Sequence, residues 1–191
     1  MSTNIEIEAK ILVNEKEFNQ LKTLLQIDEK LKVTQTNYYV DDQKGSLRSY
    51  GFALRIRELA QTYTLTLKSP MAEGTLEKNQ QISKEAYLAL QNQSIFPVGL
   101  IKDFLEMFGF DTSTLKIITF LTTDRYETKF EGRHVCLDKN TYHGLVDYEI
   151  ESEESSLKNA AETLKLLCEK ANIEYKANQI SKYARAIKTL K

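Results

Sequence analysis

The chain has 191 residues, 41% hydrophobic and 28% charged, which describes an ordinary globular chain with enough apolar material for a sizeable core. Twenty-six Lys and Arg against 27 Asp and Glu give a net charge of -1, which excludes the global basic field that nucleic-acid binding needs. Two distant cysteines with no CxxC, no long apolar run and no basic-then-apolar leader point to a reduced, cytoplasmic protein with no membrane span. With only two prolines, seven glycines and no linker composition, residues 1–191 read as a single domain. His134 and His143 lack zinc-like spacing.

Ile5 to Leu12 reads as the first strand. Ile5, Ile7, Ala9 and Ile11 point one way and Glu6, Glu8 and Lys10 the other. Carboxylates about 7 Å apart on one strand face repel unless a metal ion, the neighbouring lysine or solvent relieves them. Asn14 to Gln26 reads as a helix, with Asn14 and Glu17 as a capping box and Phe18, Leu21, Leu24 and Leu25 as its apolar stripe.

Val33 to Asp42 is the second strand, with Gln35, Asn37, Tyr39 and Asp41 on one face. Phe52 to Leu59 and Gln61 to Lys68 form a hairpin. Ala53, Arg55 and Arg57 share a face in the first arm, and Thr62, Thr64, Thr66 and Lys68 in the second. Thr75 to Ile82 is a weaker strand. Ser83 then caps a helix to about Asn92, and Val98 to Phe108 is a further short helix.

Leu115 to Phe130 is a long strand carrying Arg125. Glu131-Gly132 turns it into His134 to Asp138, where His134, Cys136 and Asp138 share a face. Leu145 to Glu151 follows, with Asp147, Glu149 and Glu151 facing one way. Ser155 or Ser156 caps a helix to about Ala171, and a last segment, Asn178 to Leu190, carries Ser181, Lys182 and Arg185. About eight strands result, mostly antiparallel.

The amphipathic helices must bury their stripes, and the apolar strand faces are the available partners. A sheet that turns its apolar side outward to helices and closes on itself turns its charges inward. The expected fold is therefore α+β: an eight-stranded antiparallel closed β-barrel with a polar, charged lumen and helices packed outside. Glu6, Glu8, Asp138, Glu149 and Glu151 suit one or two hard divalent cations, Mg²⁺ or Mn²⁺. Lys10, Arg55, Arg57, Lys68 and Arg125 suit a polyanion, and a triphosphate, with roughly four negative charges, matches that set better than one phosphate does.

Glu6-x-Glu8-x-Lys10, Tyr39-x-Asp41, Arg55-x-Arg57, Thr66-Leu67-Lys68, Arg125 and Glu149-x-Glu151 occur in an order that resembles the CYTH superfamily, the triphosphate tunnel metalloenzymes. The resemblance runs from Ile5 to about Lys182. It implies an eight-stranded antiparallel tunnel. It also implies that Glu6, Glu8, Glu149 and Glu151, with Asp138, bind metal, and that Lys10, Arg55, Arg57, Lys68 and Arg125 hold the triphosphate. Lys182 matches the late basic residue that closes over the tunnel, and Lys10 and Tyr39 match a pair that activates the attacking water. One departure lies in the strand after Thr66-Leu67-Lys68: Leu76-Glu77-Lys78-Asn79-Gln80-Gln81 stands where the family usually has an arginine followed by acids.

The expected activity is divalent-metal-dependent hydrolysis of a small triphosphate: inorganic tripolyphosphate, thiamine triphosphate or a nucleoside triphosphate. A class IV-like adenylyl cyclase is the first alternative, since the same groups serve attack at the α-phosphorus, and a non-catalytic polyphosphate or nucleotide binder is the second. Asp147 shares a face with Glu149 and reads as a strand-edge acid ahead of a further ligand, Tyr38 and Tyr126 read as outer packing residues, and His134 as a tunnel-mouth or surface residue. Arg185 reads equally as a phosphate contact or a solvated helix residue. Substrate, metal preference and oligomeric state stay open.

Overall fold

The computed structural model describes residues 2–190. Nine strands form: β1 (Ser2–Glu6), β2 (Glu8–Val13), β3 (Val33–Asp41), β4 (Ala53–Leu59), β5 (Thr62–Pro70), β6 (Thr75–Ile82), β7 (Lys116–Phe130), β8 (Arg133–Tyr142) and β9 (Leu145–Glu153). The helices are α1 (Glu15–Leu24), α2 (Ser46–Ser49), α3 (Lys84–Gln93), α4 (Leu100–Met107), α5 (Leu157–Ala171) and α6 (Lys182–Lys188). Hydrogen bonding orders the strands β1-β6-β5-β4-β3-β7-β8-β9-β2.

This corrects the expected closed, eight-stranded barrel in two details. The order has nine strands and runs between two ends, β1 and β2, among the described residues. The extra strand comes from a break at Ile7. The chain before it pairs with β6 and the chain after it with β9, and the Ile7 carbonyl accepts from Glu154 N–H. Antiparallel pairing and the α+β class stand as expected.

The chain divides into two compact units. The first holds the N-terminal residues to Ile5 with Gln35–Leu121, and the second holds Glu6–Thr34 with the chain from Thr122 onward.

In the first unit, period-two alternation gives β3, β4 and β5 an apolar face of Val40, Leu54, Ile56, Leu65 and Leu67. That face is covered by Tyr87 and Leu90 of α3 and Ile101 and Leu105 of α4. Each leucine or isoleucine buried there contributes about 1.5–3 kcal/mol. The Ser83 side chain caps α3 by accepting from Ala86 N–H. The atypical β6 sequence has a structural use on this side. Gln80 Nε2 donates to Val98 carbonyl and Gln80 Oε1 accepts from Ile101 N–H, so the side chain anchors the start of α4. The β4–β5 turn is Ala60-Gln61, both at positive φ (46° and 64°). β1 lies beside β6 with Ser2 to Ile5 exposed, and Asn79 Nδ2 donates to Asn4 Oδ1.

In the second unit, Ala9 and Ile11 of β2, Tyr126 of β7, Leu137 of β8 and Ile150 of β9 form one apolar face. Phe18 and Leu21 of α1 and Leu164 and Leu167 of α5 cover it. The Asn14–Glu17 capping box forms in both directions. The segment before α6 is tied to β2 by Asn178 N–H donating to the Lys10 carbonyl and by an Ile11–Ala177 bridge. That tie fixes where α6 begins. Covering one face of each strand set leaves the other for the charged residues.

Candidate active-site residues

Register builds the charged face of the second unit. Arg125 stands opposite Asp138 and Asp138 opposite Glu149, while Cys136 stands opposite Glu151 and Glu151 opposite Lys10. Directly opposed side chains lie about 5 Å apart, so the Asp138–Glu149 pair is unfavourable unless cations enter. They do. Lys182 Nζ lies 2.9 Å from Asp138 Oδ2 and 2.5 Å from both Glu149 Oε1 and Glu151 Oε1. Arg125 forks onto Asp138 (Nε to Oδ1 2.8 Å, Nη2 to Oδ2 2.6 Å) and donates from Nη2 to Glu151 Oε2 at 2.5 Å. Arg185 Nη1 donates to Glu149 Oε2 at 2.6 Å, while its Nε and Nη2 take both oxygens of Asp147 at 2.8 and 3.1 Å. Lys10 Nζ donates to Glu8 Oε1 at 2.5 Å.

Asp138 and Glu149 are fully buried. Burial pushes Glu149 up, against the pull of Lys182. Burial works the same way on Glu151 but is outweighed by Lys182, Arg125 and Lys10, which hold it well below the usual carboxylate range. Lys182 is desolvated too, yet Glu151, Asp138 and Glu149 raise it well above an ordinary lysine. Lys10 is raised despite burial by Glu8, Glu151 and Glu149, so it stays an ammonium at neutral pH.

The structure gathers Asp138, Glu149 and Glu151 into one group whose ligand oxygens lie within 4.8 Å of one another. Glu149 Oε1 is buried with no hydrogen-bond partner, although the Lys182 ammonium is close. Three carboxylates with an unserved oxygen fit a hard divalent ion of the Mg²⁺ or Mn²⁺ type. Glu8 is tied to Lys10, and Glu6 ends β1 half-buried; neither belongs to that close group. A second close group, Glu127, His134 and Cys136, presents different imidazole nitrogens to its two partners: Nε2 toward Glu127 at 3.8 Å and Nδ1 toward Cys136 at 4.0 Å.

In the first unit, Tyr39, Arg55, Arg57 and Lys68 stand on the strand face away from the helices. Tyr39 is opposite Arg55, and Ala53 opposite Lys68. Tyr39 is buried, and Arg57 Nε donates to Asn37 Oδ1 at 3.1 Å. Asp41 of the Tyr39-x-Asp41 motif has a structural task, accepting from Leu47 and Arg48 N–H at the start of α2. Glu77 is buried here, with its Oε1 2.9 Å from Lys68 Nζ and 3.7 Å from Arg55 Nη2. Burial would raise this carboxyl, but Lys68 and Arg55 lower it.

Sequence reasoning gave Glu77 no role on these charged faces and left Arg185 and Asp147 undecided. Glu77 was legible in principle: the Pro70–Thr75 pairing fixes Lys68 opposite Glu77. Arg185 lies three residues after Lys182 on one short helix, and it is a buried ion-pair partner rather than a solvated residue. Asp147 is its clamped partner, also bound by Asn140 and Tyr142, rather than a strand-edge acid.

Residues 4–186 match the CYTH domain family. The chain belongs to the CYTH family. A Bacillus subtilis relative provisionally named triphosphatase YjbK is 39% identical over 153 residues, covering 80% of this chain and 79% of its own. A Bacillus halodurans structure, provisionally described as an adenylate cyclase, superposes with a TM-score of 0.89 at 36% identity, over 97% of this CYTH chain and 98% of its own. A Hippeastrum protein, provisionally an adenylyl cyclase and described as revealing a dominant triphosphatase activity, shares the fold. Its TM-score is 0.75 at 22% identity, over 96% of this chain and 95% of its own.

Proposed function

We propose that this CYTH chain is an enzyme that hydrolyses a small-molecule triphosphate with the help of Mg²⁺ or Mn²⁺. The observation that carries the reading is the buried carboxylate group Asp138, Glu149 and Glu151, in which Glu149 Oε1 has the Lys182 ammonium in ionic contact but no aligned hydrogen bond. Glu6 and Glu8 are proposed as further acids for the ion. The triphosphatase name of the Bacillus subtilis relative supports the reaction type. The Hippeastrum protein's described activity is compatible with the same fold.

When bound, the ion would draw charge from phosphoryl oxygens and supply a water of lowered pKa. The chain's own residues do the remainder. Arg55, Arg57 and Lys68 in the first unit, and Lys10, Arg125 and Lys182 in the second, are cations suited to phosphate oxygens, and the arginines offer paired donors. Water attacks the terminal phosphorus, the bond from that phosphorus to the bridging oxygen breaks, the diphosphate remainder leaves with that oxygen, and the water's proton passes to solvent, giving orthophosphate. Lys10 acts by charge and orientation, because its acid neighbours keep it protonated. Tyr39 is the proposed partner that orients the attacking water.

The adenylate cyclase description of the Bacillus halodurans structure favours a second reading, cyclisation of ATP at the α-phosphorus. Product analysis separates the two. The purified chain is incubated with Mg²⁺ or Mn²⁺ and tripolyphosphate, thiamine triphosphate or ATP. Orthophosphate release is the expected result, falling more than about 100-fold in Glu149→Gln. Pyrophosphate with cyclic AMP would replace this reading by the cyclase, and binding without any product by a non-catalytic binder. Among the described residues no helix is long and apolar enough to cross a membrane. The two free cysteines fit the cytoplasmic setting we assign to the chain, which we also take as a single domain.

A further inference from the structure

Lys182 opens α6, and its ammonium stands among the same three carboxylates that suit a divalent ion. We propose that Lys182 is a tethered counter-cation of Asp138, Glu149 and Glu151, that a divalent ion displaces it on binding, and that Lys182 therefore sets the metal affinity of the group. The inference rests on the metal reading above and adds what opposes the metal.

Charge balance carries the first part. Arg125 ties Asp138 to Glu151, Arg185 ties Asp147 to Glu149, and the Lys182 ammonium joins the two sets. Four acids against two guanidiniums leave two positive charges missing. A divalent ion supplies that deficit; one ammonium supplies half of it. In so buried a group an uncompensated charge costs several kcal/mol. The better-matched cation is therefore favoured when present, and the ammonium holds the group together when it is not.

Hydrogen bonding carries the second part. Lys182 Nζ donates to Glu151 Oε1, yet Glu149 Oε1, no farther away, has no hydrogen-bond partner. The ammonium is aligned for a hydrogen bond with Glu151 Oε1 and meets Glu149 Oε1 as an ionic contact alone, whereas a cation without directed bonds has no such restriction.

The mount allows the exchange. The Ser181 side chain caps α6 by accepting from Ala184 N–H, and Tyr183, Arg185 and Ala186 are buried. These hold the Lys182 backbone in place. Only its flexible four-carbon stem has to turn to withdraw the charge.

The test uses the full chain and Mn²⁺ alone, with binding followed by calorimetry and by Mn²⁺ paramagnetic resonance. Lys182→Met should bind Mn²⁺ at least about fivefold tighter than wild type, the low end of site-to-site coupling. It should also melt lower without Mn²⁺ and gain more from it. Equal or weaker binding in a natively folded Lys182→Met overturns the proposal. A second readout needs no variant: the rate at which an amine reagent labels Lys182, read by mass spectrometry, should rise with Mn²⁺, and a rate unchanged by saturating Mn²⁺ overturns the proposal. Glu149→Gln separates the two levels. Mn²⁺ binding lost in Glu149→Gln but unaltered in Lys182→Met overturns the counter-cation alone. No Mn²⁺ binding by wild type or by Lys182→Met overturns the metal reading and the proposal with it.

Discussion

Lys68 and Glu77 face each other across the β5–β6 ladder, and Lys68 Nζ lies 2.9 Å from Glu77 Oε1. The same oxygen is 3.7 Å from Arg55 Nη2, so one acid restrains two of the cations proposed for phosphate. Glu77→Gln removes that restraint and leaves the positive charges facing each other. Stability should fall by about 2 kcal/mol in phosphate-free buffer, below the cost of breaking a fully buried pair because these groups keep some solvent contact. Tripolyphosphate should restore more stability to the variant than it adds to wild type. Urea unfolding with and without the anion checks this, and equal gains in the two proteins would refute it.

Asp147 lies below the usual carboxylate range: burial opposes this, but the Arg185 fork and the bonds from Asn140 and Tyr142 prevail. A depressed acid contributes stability that is present above its unfolded pKa of about 3.9 and lost as pH falls through the lower folded value. Asp147→Asn should therefore be less stable at neutral pH and lose less on acidification below about pH 4. Thermal melts across the acid range read the slope. A variant with the wild-type acid limb would show that Asp147 is not paired as described.

Cys136 and Cys168 are both buried free thiols. Burial, aided by Asp138, Glu151 and Glu127 against Arg125, pushes Cys136 up to about 12, and burial pushes Cys168 up to about 11. The thiolate is the reactive form, so neither should react quickly with a thiol reagent near about pH 8 in the folded chain, and both should react after denaturation. Mass spectrometry of alkylated protein counts them. Rapid labelling of Cys136 in the native protein would contradict its placement.

The two-residue β4–β5 turn holds Ala60 and Gln61 at positive φ, where a side chain costs about 1–2 kcal/mol. Turns of this kind favour Asn-Gly. The double substitution Ala60→Asn with Gln61→Gly should raise unfolding stability by about 1 kcal/mol. Denaturant titration checks it; a loss of stability would mean that the native side chains make contacts worth more than the strain.

Local pattern was a good guide wherever the partner was a whole face. The alternation of Arg55 and Arg57 against Leu54 and Ile56 foretold which side α3 and α4 would cover, and Asn14-x-x-Glu17 foretold the start of α1. It failed where one specific partner decides. Ile5, Ile7, Ala9 and Ile11 alternate without interruption, so nothing in the pattern marks Ile7 as the point where the chain exchanges β6 for β9. For Arg185 a phosphate contact and a solvated helix face stood level, and Asp147 read as a strand-edge acid, because neither carries the signature of its own burial. A guanidinium is buried only when a fixed carboxylate meets it, and Asp147 is brought to it by α6 docking through Asn178 and Ala177. The acids of Glu149-x-Glu151 were legible as a pair. That a lysine ammonium stands among them was not, since it depends on the same docking.

The split at Ile7 also has a consequence for handling the protein. β1 contributes little buried surface of its own, but it lies along β6 and occupies backbone groups that would otherwise face solvent. Trimming the chain through Ile5 would expose that row and turn β6 into a template for strand addition by another molecule. A shortened chain should keep the carboxylate group of its second unit and yet self-associate as concentration rises, so light scattering would register the change before any assay of phosphate release.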